Sequence, residues 1–226
     1  MCATRSVARQ WQVARSKPRV PPGLLLARGG TDRSRFMGGN MAAHTSLEAR
    51  LAEVEDRLAI RELVSRYCFA VDDRDLVAMA DLFSEDAFFG SADRAMGATG
   101  RAAIVRQFES RYSVMGASNH VSHDQVVEFE GPGRAHGRVS LHAELWRNER
   151  AMITALRYAD NYVKSDGRWR FSQRLLSFMY YLPVEEYRAA MGVLERNRAG
   201  RAPAAADWPE RMPTWTEHRP DRRKAG

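Results

Sequence analysis

The chain has 226 residues, enough for one well-cored domain with tails and too few for two ordinary ones. Its formal charge of +7 would point to a nucleic-acid or membrane partner if it were spread over a folded surface. Residues 1–44 hold eight bases against the single acid Asp32, and beyond them 27 bases meet 27 acids, so the excess belongs to an appendage and nucleic acid drops out as a partner.

That first segment, 1–44, is Arg-rich and acid-poor, with a short apolar stretch at Leu24-Leu25-Leu26. Met37 and Met41 stand just ahead of the first capped helix. The segment is expected to be a basic extension outside the fold, with a targeting peptide as the alternative. No apolar run approaches the roughly 20 residues that span a bilayer, so no membrane partner is expected. Cys2 and Cys68 cannot build a disulfide framework, which fits a reducing cytoplasm.

Thr45-Ser46-Leu47-Glu48 is a capping-box signature, and Leu47, Leu51, Val54, Leu58, Leu63, Tyr67 and Val71 recur behind it at helical steps. The helix is expected to stop near Asp72-Asp73-Arg74, with Asp75 capping a short second one. Phe88-Phe89 suggests a short strand, and Gly100 opens a third helix through Ile104, Phe108 and Tyr112. From His120 the period becomes two. Strands are predicted over 120–130, 134–147, 151–164 and 168–182, joined by turns at Glu130-Gly131-Pro132-Gly133 and Asp166-Gly167. In 134–147, Ala135, Gly137, Val139, Leu141, Ala143 and Leu145 share one face and His136, Arg138, Ser140, His142, Glu144 and Trp146 the other; alternation alone does not say which face is inward. A closing helix is expected over 184–196 and a polar tail from Arg198, at most draped over the domain. Helices followed by antiparallel strands make an α+β domain over 45–197, its helices covering one face of a bent sheet.

Five strings in this order, Leu58-Ala59-Ile60-Arg61-Glu62-Leu63 through Asp72, Leu82-Phe83-Ser84-Glu85-Asp86-Ala87, Gly100-Arg101-Ala102-Ala103-Ile104, Asn119-His120-Val121-Ser122, and Tyr158-Ala159-Asp160-Asn161-Tyr162 with Asp166-Gly167-Arg168-Trp169, resemble the SnoaL-like branch of the nuclear transport factor 2 superfamily. The resemblance implies a cone-shaped α+β barrel around a pocket for a small ligand. Members include scytalone dehydratase, bile-acid 7α-dehydratase, ketosteroid isomerase and polyketide cyclases, together with non-catalytic small subunits of ring-hydroxylating dioxygenases, so fold alone does not fix function. The two dehydratases are the nearest pattern. Their matching Tyr, Asp and His, here Tyr67, Asp72 and His120, remove water from a cyclic substrate with neither metal nor organic cofactor. By the same resemblance a homodimer or homotrimer is expected. Two departures stand out: a pocket tyrosine falls near Ser91 and a further ionisable group near Ala143, where His142 or Glu144 could stand in.

Elimination of water needs a base for a carbon-bound proton and an acid for the departing hydroxyl. Histidine, with an unperturbed pKa of about 6.5, serves both roles when a carboxylate fixes its tautomer. His120 and Asp72 could form that pair, with Tyr67 donating to a substrate oxygen. Tyr67 and Asp72 are five residues apart, about 140° around an ideal helix, so they converge only if the helix ends or bends between them. His120 and His123 point to opposite faces of a strand, which argues against a shared metal ion, whereas Ser122 lies on the His120 face. Phe88, Phe89, Tyr158, Tyr162, Phe178, Tyr180 and Tyr181 are candidates for an aromatic pocket, about half of them simply core. The expected substrate-binding set is Phe89, Ser122, His142 and Tyr158, the expected partner a small cyclic molecule.

Overall fold

The structure is a computed structural model, and it describes residues 46–218 except Asp93, Ala95 and Arg201; the basic extension 1–44 lies outside the described residues. Helix α1 (Leu47–Asp72) starts one residue later than the capping box suggested, because Ser46 is the cap and its hydroxyl accepts from the Ala49 N–H at 3.2 Å. Its apolar stripe divides. Ile60, Leu63, Val64, Tyr67 and Val71 are buried, whereas Leu47, Leu51, Val54 and Leu58 face out, 52–73 % exposed. Where the first half of α1 meets the sheet it does so through polar side chains: Asp56 accepts from the Trp169 indole and Lys164, and Arg57 donates to the Val127 carbonyl.

Asp75 caps α2 (Leu76–Asp81) by accepting from the N–H groups of Val77 and Ala78. Strand β1 (Phe83–Ser91) pairs with β2 (Gly97–Thr99), a short strand the pattern did not announce, and α3 (Arg101–Tyr112) follows Gly100 at φ +88°. Four long strands complete the domain: β3 (Met115–Gly131), β4 (Arg134–Arg147), β5 (Arg150–Ser165) and β6 (Arg168–Pro183). Asp166 and Gly167 both take positive φ, as a two-residue hairpin requires.

The sheet runs β2-β1-β6-β5-β4-β3, curved and unclosed. It is not wholly antiparallel as expected, since β1 and β6 are parallel. No hairpin links those two strands; the chain between them passes through α3 and four strands, so turn geometry leaves their relative direction free. The inward face of β4 is that of Ala135, Gly137, Val139, Leu141, Ala143 and Leu145. Strand β3 carries a register shift between Ser122 and Gln125. Before it, Ser118, His120 and Ser122 are the shielded positions; after it, Gln125, Val127 and Phe129 are.

The closing helix over 184–196 does not form. Only a 3₁₀ turn at Val184–Glu186 and α4 (Tyr187–Ala190) are present. Downstream, backbone groups pair with β6 instead: Tyr181 N–H donates to the Arg196 carbonyl and Arg198 N–H to that of Tyr181. The buried Arg196 side chain donates to the carbonyls of Met179 and Val193 and to Glu210, and those bonds need an irregular backbone around it. The segment past Arg198 lies along β6, where Ala206 is buried, Asp207 accepts from the Phe178 N–H and the Trp208 indole donates to the Ser177 carbonyl, before α5 (Pro213–Glu217). Among the described residues no helix is long and apolar enough to cross a membrane.

Candidate active site

Asp72 is the last residue of α1, and three donors converge on its carboxylate. His120 Nδ1 lies 2.6 Å from Oδ1, the His120 backbone N–H donates to Oδ2 at 2.7 Å, and the Ser118 hydroxyl donates to Oδ1 at 2.7 Å. An acid at a helix C-terminus faces the negative end of the helix dipole, a placement costing about 0.3–1 kcal/mol at exposed sites. Those donors more than offset it. Burial pushes the Asp72 carboxyl up, but the three hydrogen bonds outweigh burial and hold it below the ordinary carboxylate value. An ionised carboxylate only accepts, so Nδ1 carries the proton and donates. In the neutral imidazole this leaves the lone pair on Nε2. The pair is well shielded, the His120 and Asp72 side chains being 12 % and 17 % exposed.

Nε2 belongs to a side chain that lines a cavity of about 130 Å³ together with Tyr67, Val71, Thr154, Tyr158 and Tyr181. Helix α1 runs unbroken from Tyr67 to its last residue, Asp72. Tyr67 faces the cavity directly, while Asp72 reaches it only through the imidazole that it holds. Deep in this wall the Tyr67 and Tyr158 hydroxyls are 3.5 Å apart, one donating to the other. Burial raises both phenols above their usual value, so both stay protonated near neutrality and can only serve as hydrogen-bond groups.

Behind these rings lies an ion pair with no exposure at all. The Arg174 Nε is 3.3 Å from Asp160 Oδ1, and the guanidinium carbon sits 4.2 Å, 3.7 Å and 4.3 Å from the centroids of Tyr67, Tyr158 and Phe171. Burial lifts the Asp160 carboxyl to about 6 even though Arg174 and the Tyr162 hydroxyl pull it down. Stacked on the outer side of the Tyr67 and Tyr158 rings, the cation fixes their tilt.

The profile of the SnoaL-like domain matches residues 52–175, more than half of the chain. The chain belongs to the SnoaL-like family. No curated protein matches it. Among solved structures, a scytalone-dehydratase-like protein of Novosphingobium aromaticivorans is 24 % identical, with a TM-score of 0.57 over 68 % of this chain and 99 % of that one. Hexachlorocyclohexane dehydrochlorinase LinA-type3 of Novosphingobium barchaimii LL02 is 19 % identical, TM-score 0.55, over 60 % and 94 %. An aromatic-ring-hydroxylase-like protein of N. aromaticivorans is 25 % identical, TM-score 0.54, over 59 % and 96 %.

Within this SnoaL-like domain the expected residues separate cleanly. Tyr67, His120 and Tyr158 meet in one cavity, with Asp72 bonded to His120. Three of the four expected substrate contacts need revision or qualification. His142 lies outside the pocket: it projects from the outer face of β4, where its Nδ1 is 2.8 Å from His123 Nε2. Glu144 shares that face, so the position near Ala143 has no ionisable replacement. Phe89 is core, fully buried against Phe83, Phe108 and Tyr67 and not among the lining side chains. Ser122 is half-buried on the same side of β3 as His120 but is not among the lining side chains. Of the seven candidate aromatics, Tyr158, Phe178 and Tyr181 line the cavity. Ser91, near the position of the missing pocket tyrosine, is bonded to Met96 at the sheet edge. Among the described residues no three His, Cys, Asp or Glu side chains are grouped to hold a metal ion.

Arg111, Arg147 and Arg174 were not anticipated as site residues. Arg147 had a readable signal, since it continues the apolar face of β4 two residues beyond Leu145. Asp160 had a similar one, being in phase with Tyr158 and Tyr162 on β5. Arg111 gave none: a base in the last turn of α3 is what the helix dipole favours anyway.

Proposed function

We propose that this SnoaL-like domain is a cofactor-independent lyase or isomerase acting on a hydroxylated cyclic small molecule such as a polyketide or steroid. The observation that carries the reading is the His120–Asp72 pair, which leaves one unpartnered imidazole nitrogen facing a largely apolar chamber. Nε2 takes the proton from the carbon next to the one bearing the hydroxyl, the C–H electron pair becomes the new C=C bond, and the hydroxyl departs as water on accepting a proton from the imidazolium. Asp72 steadies the imidazolium while it exists, and Tyr67 or Tyr158 donates to a substrate oxygen. Every group in this scheme is a side chain of the domain. Cys68, a free buried thiol, suits action in the cytoplasm. The exposed row Leu47, Leu51, Val54 and Leu58 supports a homodimer or homotrimer.

The test is turnover of hydroxylated ring compounds, first selected by thermal shift and then followed by mass analysis for the loss of water. His120→Ala is expected to cut kcat by about 10³-fold or more with circular dichroism unchanged; full activity in that variant would overturn the assignment. The likeness to a ring-hydroxylase-like protein favours a second reading, a non-catalytic small subunit of an oxygenase. It predicts no turnover and co-purification with a large iron-containing partner.

A further inference from the structure

Eighteen side chains line the cavity, and none of them is Asp or Glu, whereas two are arginines, Arg111 and Arg147. Among the described residues neither has a carboxylate partner. Among the described residues the Arg111 side chain makes no hydrogen bond; its guanidinium carbon lies 5.3 Å and 5.2 Å from the ring centroids of Phe89 and Phe108. Arg147 donates to the Ala199 carbonyl at 3.2 Å and sits 5.6 Å from the Tyr181 ring. Burial first, and then the nearby charge of Arg147, lower the basicity of Arg111. The acids closest to the site are already committed, Asp72 to His120 and Asp160 to Arg174. A pair of partly desolvated cations sharing one chamber without a counter-ion is costly to keep. Its natural complement is an anion, and a carboxylate matches the planar fork of a guanidinium.

We propose that the ring substrate carries a carboxylate, which Arg111 and Arg147 grip while the reacting carbon lies against His120 Nε2. The inference rests on the acid–base reading above and narrows it. The apolar lining places the reacting ring among Leu145, Leu156, Leu176 and Phe178. β4 orders the parts along the chamber. His120 pairs with Ala143, and Arg147 lies four residues further toward the β4–β5 turn, about 13 Å at the usual strand rise. That span accommodates a six-membered ring with a carboxylate at one side and a reactive carbon at the other.

The experiment compares benzoate and cyclohexanecarboxylate with their neutral amides by isothermal titration calorimetry on the full chain. The acids are expected to bind at least about tenfold more tightly, the usual worth of one charge-assisted hydrogen-bonded contact. That preference should be lost in Arg111→Met and Arg147→Met and partly kept in Arg111→Lys. Equal affinity for acid and amide in the wild type overturns the proposal without requiring any variant to fold, and so does an acid preference that survives both Met substitutions. The two readings fail separately. Acid-selective binding with no turnover of hydroxylated ring acids would sink the lyase assignment and leave the anion site, whereas turnover confined to neutral rings would do the reverse.

Discussion

Asp72→Asn is the sharpest probe of the site because it changes one atom and alters a tautomer. In the wild type the carboxylate accepts three bonds of 2.6–2.7 Å, one of which holds the proton on His120 Nδ1. An asparagine in the same place keeps the shape. Its oxygen, in the Oδ2 place, still accepts from the His120 N–H, so the amide nitrogen takes the Oδ1 place and donates to Nδ1, with the Ser118 hydroxyl rotating to accept from it. The imidazole proton then moves to Nε2, and the base facing the cavity is gone. In a serine protease the equivalent change, leaving the geometry intact, lowers kcat about 10⁴-fold; a loss of 10³–10⁴-fold, about 4–5.5 kcal/mol, is expected here. Stability should fall by only about 1–3 kcal/mol, the worth of a hydrogen bond to a charged group. The Asp72 value is depressed in the fold, so the wild-type advantage is complete above the ordinary aspartate value, near pH 4, and fades as pH drops through the folded value. Nitrogen-15 chemical shifts of the His120 ring read the tautomer directly and need no substrate. Nδ1–H in the wild type and Nε2–H in the variant are expected, and an unchanged tautomer would refute the reasoning whatever the kinetics show.

Tyr67→Phe should lower kcat about 10–100-fold while the melting temperature moves little, because the ring keeps its edge contacts with Phe83, Phe108 and Phe171 and loses only a hydroxyl whose partner is 3.5 Å away. Asp160→Asn strips the buried Arg174 of its counter-charge and should cost about 3–5 kcal/mol in urea unfolding. The pH signature of that pair runs opposite to that of Asp72. Burial raises Asp160 to about 6, so its contribution is full below the unfolded value near 4 and is lost as pH rises through about 6, a step missing in the variant. Leu51→Glu with Leu58→Glu should shift the mass measured by light scattering toward the monomer with the far-ultraviolet spectrum kept, since both side chains are already exposed; an unchanged mass removes α1 from the subunit contact.

Local chemistry made much of this fold readable in advance. Asp75 as a cap, the positive-φ turn at Asp166-Gly167 and the alternation of β4 each depend on residues adjacent in sequence, and each is present. What failed needed information from elsewhere in the chain. The sign of the β4 faces is set by where α1 and α3 land, so His142 could be paired with Glu144 and Trp146 but not placed outside. The row from Leu47 to Leu58 has helical spacing, yet the sheet meets that half of α1 through Asp56 and Arg57. The 184–196 segment looked helical because its composition allows it; backbone pairing to Tyr181 and the buried Arg196 override that preference. Tyr67, Asp72 and His120 were found through resemblance, not pattern. The arginines around them were missed because a lone base on a helix or strand looks like solvent-facing decoration.

The shift in β3 between Ser122 and Gln125 has an evolutionary consequence. It acts as a phase joint: the stretch bearing the base keeps one parity and the stretch filling the core near Val127 keeps the other. Loss of a single codon at His123 or Asp124 would remove the bulge, leaving two steps on β3 against two on β4, and plain alternation would then keep His120 and Val127 on one face. Point changes at those two solvent-facing positions should be tolerated freely, and the loss itself should cost only the local bend and added twist that the bulge gives β3.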